Sequence, residues 1–145
     1  MCGVLLIYSK KNKLIRSNCI KSFRSIYNRG PDKQLSNFFL SDRLFIGNSI
    51  LHINGNLKKG KKLYNKNGVH LAYNGEIYNH KELDKKYLNR KQSNDTATLL
   101  KLFTKYHSHQ VLKKLNGMYS FIVFDEKNKE IYFATDPQGE KRILK

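Results

Sequence analysis

A chain of 145 residues fits one domain and is long enough to bury a hydrophobic core. It carries 28 Lys and Arg against 11 Asp and Glu, a net charge of +17, yet 39% of its residues are hydrophobic and Phe and Tyr are plentiful, so the composition is globular. No run of about 18 apolar residues is present, which excludes a hydrophobic spanning helix. The apolar start Val4 to Tyr8 is short and has no basic segment before it, which argues against a secretory signal. With only Cys2 and Cys19 and no signal segment, a disulfide framework is not expected, and no Cys or His spacing suggests zinc. The reading is a soluble cytoplasmic protein.

Val4 to Tyr8 is a continuous β-prone run and predicts a buried strand beginning almost at the N-terminus. Ile20, Phe23 and Ile26 or Tyr27 have helical spacing, and the helix they predict stops before Asn28-Arg29-Gly30-Pro31-Asp32, a turn. Asn37 to Leu40 and Leu44 to Ile46 read as two short strands of a hairpin joined at Ser41-Asp42. Ile50-Leu51-His52-Ile53 is a further β-prone piece, broken by Asn54-Gly55. Val69 to Tyr73 is a strand that runs into Asn74-Gly75, which taken alone is a common hairpin turn signal. His80 to Leu88 is amphipathic and helical in pattern. Asn94-Asp95 caps a helix from Thr96 to about Tyr106 with Leu99, Leu100 and Phe103 on one face. A short helix around Val111 to Leu115 precedes the strongest hairpin, Met118 to Phe124 with Ile131 to Ala134, its loop at Asp125-Glu126-Lys127-Asn128. Strands, then helices, then strands again suggest sheets covered by helices.

Lysine is spread over the whole chain. The densest cluster, Lys58-Lys59-Gly60-Lys61-Lys62, reads as a loop, and Lys85-Lys86 as the polar face of a helix. The excess charge is read as solvated surface, with a nucleic-acid or acidic partner surface as the lesser alternative and a missing acidic partner domain as a third source.

The residues with most chemical content are Met1-Cys2-Gly3. Removal of the initiator methionine before a small side chain leaves Cys2 with a thiol and a free α-amine. That amine, with an ordinary pKa of about 7.7–8.0, can act as a base near neutral pH. Nucleophile and base then share one residue, the arrangement of N-terminal nucleophile hydrolases. Four further motifs follow: Arg29-Gly30-Pro31-Asp32; Tyr73-Asn74-Gly75-Glu76-Ile77-Tyr78-Asn79-His80; Asn94-Asp95-Thr96; and Leu115-Asn116-Gly117-Met118-Tyr119-Ser120-Phe121. Asp136 with Gly139-Glu140-Lys141 makes a fifth.

In this order the motifs resemble the class II glutamine amidotransferase domain of glutamine-hydrolysing asparagine synthetases, over nearly the whole chain. The resemblance implies an α+β fold of the N-terminal nucleophile type, a four-layer αββα sandwich with two stacked antiparallel sheets flanked by helices. It implies that the Cys2 thiol attacks the side-chain amide of glutamine, that the Asn74 amide and the Gly75 N–H stabilise the oxyanion, and that Asp95, Glu76, Leu51 and Ile53 bind substrate. Asp95 also reads as a helix cap and Glu76 as a solvent-facing side chain. Arg29 and Asp32 are expected to brace the loop beneath the nucleophile, His80 to start a helix, and Asp136 and Gly139 to form a structural turn. No cofactor is implied for this domain. ATP and Mg belong to a synthetase domain, in cis or in trans, whose Ser-Gly-Gly phosphate loop does not occur in these residues. The chain stops soon after Lys141-Arg142-Ile143, so an incomplete C-terminal end is expected.

The pattern departs at one place. The family sets an Arg before its Leu-x-Ile segment to grip the glutamine α-carboxylate, and Ile50 stands there in this sequence. Isoleucine offers no bidentate contact to a carboxylate; Arg43 in the hairpin is the alternative guanidinium. The Leu-His-Ile-Asn-Gly version of this segment, with Asn-Asp-Thr, is similar to the divergent asparagine synthetase domain-containing protein. Two functions remain open at this point, an active glutaminase and an amidotransferase-like binding or regulatory module.

Overall fold

Seven consecutive residues without a charged side chain, Leu44–Ile50, form strand β3, and every one of them is buried. The computed structural model describes residues 2–51 and 63–144. The chain divides into two compact units, Met1–Leu63 with Ala72–Asn74, and Tyr64–Leu71 with Gly75–Lys145.

In the first unit β3 is the centre of a three-stranded antiparallel sheet, flanked by β1 (Gly3–Tyr8) and β2 (Lys33–Phe39). β1 was expected to be buried. It is an edge strand instead, with Val4 to Ile7 half-buried and Tyr8 49% exposed, because a neighbour covers only one of its flanks. The predicted hairpin is present and longer than expected. β2 and β3 pair from Lys33↔Ile50 to Phe39↔Leu44. Their turn takes Leu40, Ser41 and Asp42 into the left-handed region, at φ 53°, 52° and 66°. Arg16 Nε and Nη2 grip the Asp42 carboxylate at 2.8 Å each, and that hydrogen bonding holds the Asp42 pKa below its ordinary value. Helix α1 spans Arg16–Arg24, earlier than the apolar spacing suggested. Ile15 at its N-cap makes no side-chain cap bond, so its start leaves no signature in sequence. The chain then makes a 3₁₀ turn, Tyr27–Arg29, which keeps Ile26 and Tyr27 on the apolar side. Cys19, Phe23 and Phe45 form a core with Leu5, Ile7, Leu14, Ile20, Ile26, Tyr27 and Phe38 packed on it. Burial pushes the Cys19 thiol pKa up, as fits a reduced structural cysteine.

The second sheet has the order β4-β5-β6-β7. Its strands are β4 (Tyr64–Lys66), β5 (Val69–Ile77), β6 (Gly117–Asp125) and β7 (Glu130–Thr135). β4 and β5 pair from Tyr64↔Leu71 to Lys66↔Val69 around Asn67-Gly68, both with positive φ, 51° and 78°. This is the turn of the primed type that Asn-Gly favours. The other Asn-Gly pair, Asn74-Gly75, makes no turn, and β5 continues through it. Two helical segments follow as expected: α2 (His80–Leu83), continued by a π-helical turn Asp84–Leu88, and α3 (Asp95–Lys105). Asn94 is the N-cap of α3, its side chain accepting from Ala97 N at 2.9 Å, so Asp95 is the first helical residue and not the cap. Buried Asp84 accepts from Thr98 Oγ1 at 2.8 Å and from Gln92 N at 2.7 Å, tying the π turn to α3. Helix α4 (Ser108–Leu112) precedes the β6–β7 hairpin, which pairs from Ser120↔Thr135 to Asp125↔Glu130. Two antiparallel sheets with helices give the α+β class that the sequence implied. Among the described residues no helix is long and apolar enough to cross a membrane.

Gly75 and Gly117 let β5 and β6 approach closely. Gly75 has φ +151° and Gly117 +154°; a Cβ would lie 2.1 Å from the Met118 carbonyl oxygen in the first case and 2.1 Å from that of Glu76 in the second. Backbone cannot yield as a flexible side chain can. Gly117→Ala is therefore expected to lower stability by about 1–3 kcal/mol. A urea titration should show a lower midpoint with unchanged slope; an unshifted midpoint would contradict the close approach.

Candidate active site

Asn48 is completely buried in an apolar strand, where an unpaired amide is costly. Its Nδ2 donates to the Gly3 carbonyl at 3.0 Å and to the Tyr73 carbonyl at 3.3 Å, and its Oδ1 accepts from Tyr73 N at 3.0 Å. One side chain in the first unit thus holds the residue after Cys2 and the residue before Asn74. The half-buried Cys2 donates its thiol to the Leu51 carbonyl, with Sγ 3.7 Å from the oxygen. Asn74 is 7% exposed, and among the described residues its side-chain amide has no hydrogen-bond partner. A buried amide with donor capacity to spare, on the strand that Asn48 fixes, is suited to receive a developing negative charge.

The end of β3 beside Leu51 is braced as the sequence suggested. Asp32 N donates to the Ile50 carbonyl at 3.1 Å, Pro31 bridges Ile50, and Gln34 Nε2 bonds the Gly30 carbonyl at 2.9 Å. The Arg29-Gly30-Pro31-Asp32 turn therefore packs on the backbone segment that leads to Leu51. Ile50, in the place where a guanidinium was expected, is 7% exposed and belongs to the core. Arg43 does not substitute for it. Its guanidinium donates to the carbonyls of Leu40 and Lys10, just before the opposite end of β3, roughly 20 Å away at about 3.3 Å per residue.

In the second unit, Gly75 and Glu76 continue β5, with Gly75 half-buried and Glu76 exposed. Asp95 Oδ2 accepts from Ile77 N at 3.1 Å and its Oδ1 from Thr96 N at 2.7 Å, so α3 begins tied to β5 two residues past Gly75. The Gly75 backbone, expected to lie bare for substrate, is also the point of close approach by Met118. His80 opens α2 as expected. Asn79 before it accepts from Asn116 N at 3.1 Å and donates to the Lys114 carbonyl at 2.9 Å, anchoring the turn that leads into β6. Ile53 and the Lys58–Lys62 cluster lie outside the described residues.

Asp136, 2% exposed, forms the expected structural turn. It accepts from Tyr119 N at 3.2 Å, Glu140 N at 2.9 Å and Lys141 N at 3.0 Å, while Gly139 N donates to its carbonyl. Burial pushes its pKa up, but these backbone donors together outweigh burial and hold it below the ordinary carboxylate value. Burial, reinforced by the nearby Asp136 charge, raises the Tyr119 phenol. Among the described residues no group of three or more His, Cys, Asp or Glu is arranged to hold a metal ion.

Sequence reasoning missed Asn48. It ended the hairpin strand at Ile46 and gave Gly47-Asn48-Ser49 no element. The available signal was a polar pair flanked on both sides by apolar β-prone residues, which in a buried strand must be bonded.

Two antiparallel sheets with helices form an α+β architecture consistent with the N-terminal nucleophile hydrolase fold. A family profile described as "Glutamine amidotransferase domain" matches residues 1–144, and the chain belongs to that family. It is similar to the asparagine synthetase [glutamine-hydrolyzing] of Mesocricetus auratus, 28% identical over 155 residues covering 100% of this chain and 26% of the relative. Asparagine synthetase B [glutamine-hydrolyzing] of Escherichia coli is 29% identical over 145 residues, 96% of this chain and 26% of its own length. Asparagine synthetase [glutamine-hydrolyzing] 2 of Arabidopsis thaliana is 28% identical over 144 residues, covering 96% and 24%. The chain spans about a quarter of the length of these relatives.

Two outcomes follow from this geometry. Asn48→Ala removes three hydrogen bonds to buried backbone groups and should destabilise the protein by at least about 2 kcal/mol in chemical denaturation. The depressed Asp136 pKa means that its carboxylate contributes in full above the ordinary value of about 3.9 and loses that contribution as pH falls through the lower folded value. The melting-temperature advantage of wild type over Asp136→Asn should accordingly be largest near neutrality and shrink below about pH 4.

Proposed function

We propose that the chain is a glutamine-hydrolysing amidotransferase domain that releases ammonia for an asparagine-synthetase-like protein. The observation that carries this reading is the Asn48 amide, which fixes the backbone on either side of it, at Gly3 next to the nucleophile and at Tyr73 next to Asn74. After loss of Met1 the α-amine of Cys2 takes the thiol proton, and the thiolate forms a bond to the side-chain amide carbon of glutamine. The resulting oxyanion receives hydrogen bonds from the Asn74 amide and the Gly75 N–H. The protonated amine returns its proton to the leaving nitrogen, and ammonia departs from a γ-glutamyl thioester. Water, deprotonated by the same amine, then cleaves the thioester to glutamate and restores the thiol. Leu51, through its carbonyl, orients the thiol, and Asp95, Glu76 and Ile53 keep the substrate-binding roles that the resemblance gives them.

The domain needs no cofactor for this chemistry. Its ammonia acceptor lies on an ATP- and Mg-dependent synthetase domain, in cis or in trans, in the cytoplasm, and neither a membrane nor a nucleic acid takes part. A second reading, an impaired amidotransferase-like binding or regulatory module, is favoured by one observation, the buried apolar Ile50 where a carboxylate clamp is expected.

Glutamate release by the purified protein separates the two. Under the hydrolase reading, the intact mass lacks Met1, Cys2→Ala abolishes release, and Asn74→Ala lowers kcat by about 10²–10³-fold. Retained methionine, or no glutamate from protein with an intact Cys2, would favour the module.

A further inference from the structure

Glutamine enters a site as a zwitterion, and a carboxylate taken out of water needs a cation or several donors. The strand register of the first unit shows where such a cation stands. β1 and β3 pair Gly3↔Ser49, so the next row outward sets Cys2 beside Ile50; β2 and β3 pair Lys33↔Ile50 in that same row. Residues in one row of an antiparallel sheet point to one face, and successive rows alternate. The row of Gly3 and Ser49 faces the α1 side, since Ser49 Oγ donates to the Ile26 carbonyl. The row of Asn48 faces the opposite side, where its amide meets Tyr73. Cys2, Ile50 and Lys33 therefore share the face of Asn48, with Lys33 two strands from the nucleophile, roughly 10 Å between Cα atoms.

Two other cations among the described residues of this unit, Arg29 and Arg43, do not share that place. The Arg29 side chain packs beside Gly3 and Ile26 on the α1 face, and Arg43 is held by carbonyls near the far end of β3. Lys33 is half-buried, and among the described residues its ammonium has no hydrogen bond or ion pair. A charge missing at position 50 is thus matched by an unpartnered charge one strand away.

We propose that Lys33 is the α-carboxylate clamp of the substrate, with the amide carbon at Cys2 and the methylenes lying over the Ile50 side chain. The assignment rests on the amidotransferase reading above. An ammonium on a flexible four-carbon stem can reach inward from the neighbouring strand, where a guanidinium on β3 itself would have stood next to the thiol. Ile50 then supplies the apolar floor between the two polar ends of the ligand.

The test compares wild type, Lys33→Met and Lys33→Arg with glutamine and with decarboxylated glutamine, which lacks the α-carboxylate. Lys33→Met should raise the KM for glutamine roughly 10- to 100-fold, with the loss in KM and not in kcat, and Lys33→Arg should recover most of it. Decarboxylated glutamine should be treated alike by all three. An equal KM for wild type and Lys33→Met overturns the clamp and leaves the hydrolase reading standing. Glutamine binding is measured in parallel on the Cys2→Ala protein by calorimetry, where Lys33→Met should weaken it by the same factor. Lys33-dependent binding without turnover in the wild type would sink the hydrolase reading alone; no glutamine binding, or binding indifferent to Lys33, overturns the clamp.

Discussion

The amide of Asn48 is the interaction on which the first unit depends. It is completely enclosed, and three of its hydrogen-bonding positions are filled by backbone groups of Gly3 and Tyr73. A buried amide with these bonds satisfied adds modestly to stability; the larger penalty falls on any arrangement that leaves the groups unpaired. That asymmetry favours one relative placement of β1 and the Ala72–Asn74 segment. Cys2 and Asn74 each follow directly from a residue so held. The placement of Cys2 is therefore set from the middle of a buried strand.

β3 makes this possible through its position. As the central strand it is flanked on both sides, so all seven of its residues are buried although two are polar. On one face its Phe45 joins Cys19 and Phe23 in the apolar core, and on the other its Asn48 binds backbone. The Arg29 to Asp32 turn packs on its last residues and fixes the segment from which the Leu51 carbonyl meets the thiol. Ile50 belongs to the same construction: at that place an apolar side chain completes the core, and a positive charge is left to the adjacent strand.

The two Asn-Gly pairs show how one dipeptide serves opposite ends. Asn67-Gly68 has strands of matching register on either side, Tyr64–Lys66 and the start of β5, so it turns. Asn74-Gly75 lies where β6 approaches, and Gly75 and Gly117 remove the Cβ atoms that would keep the strands apart. Continuing the ladder outweighs the local preference for a turn, and Asn74 stays extended, its side-chain amide without a partner among the described residues. Local propensity is identical in the two pairs; the neighbouring strand decides.

The amino-acid sequence carries the elements whose signals are local. Examples are the β6–β7 hairpin, the body of α3, the turn at Arg29 to Asp32, and, through five ordered motifs, the amidotransferase family to which the chain belongs. It also showed that the expected arginine is Ile50. What it left open needed partners distant in the chain. The edge position of β1, the uncapped start of α1, the bonding of Asn48 across 45 and 25 residues, and the row that aligns Cys2, Ile50 and Lys33 all arise from strand order and register. Periodicity reports which face of an element is apolar, but not which strand will lie beside it. Only the tertiary fold, by choosing those neighbours, could turn an asparagine outside every predicted element into the anchor of Gly3 and Tyr73.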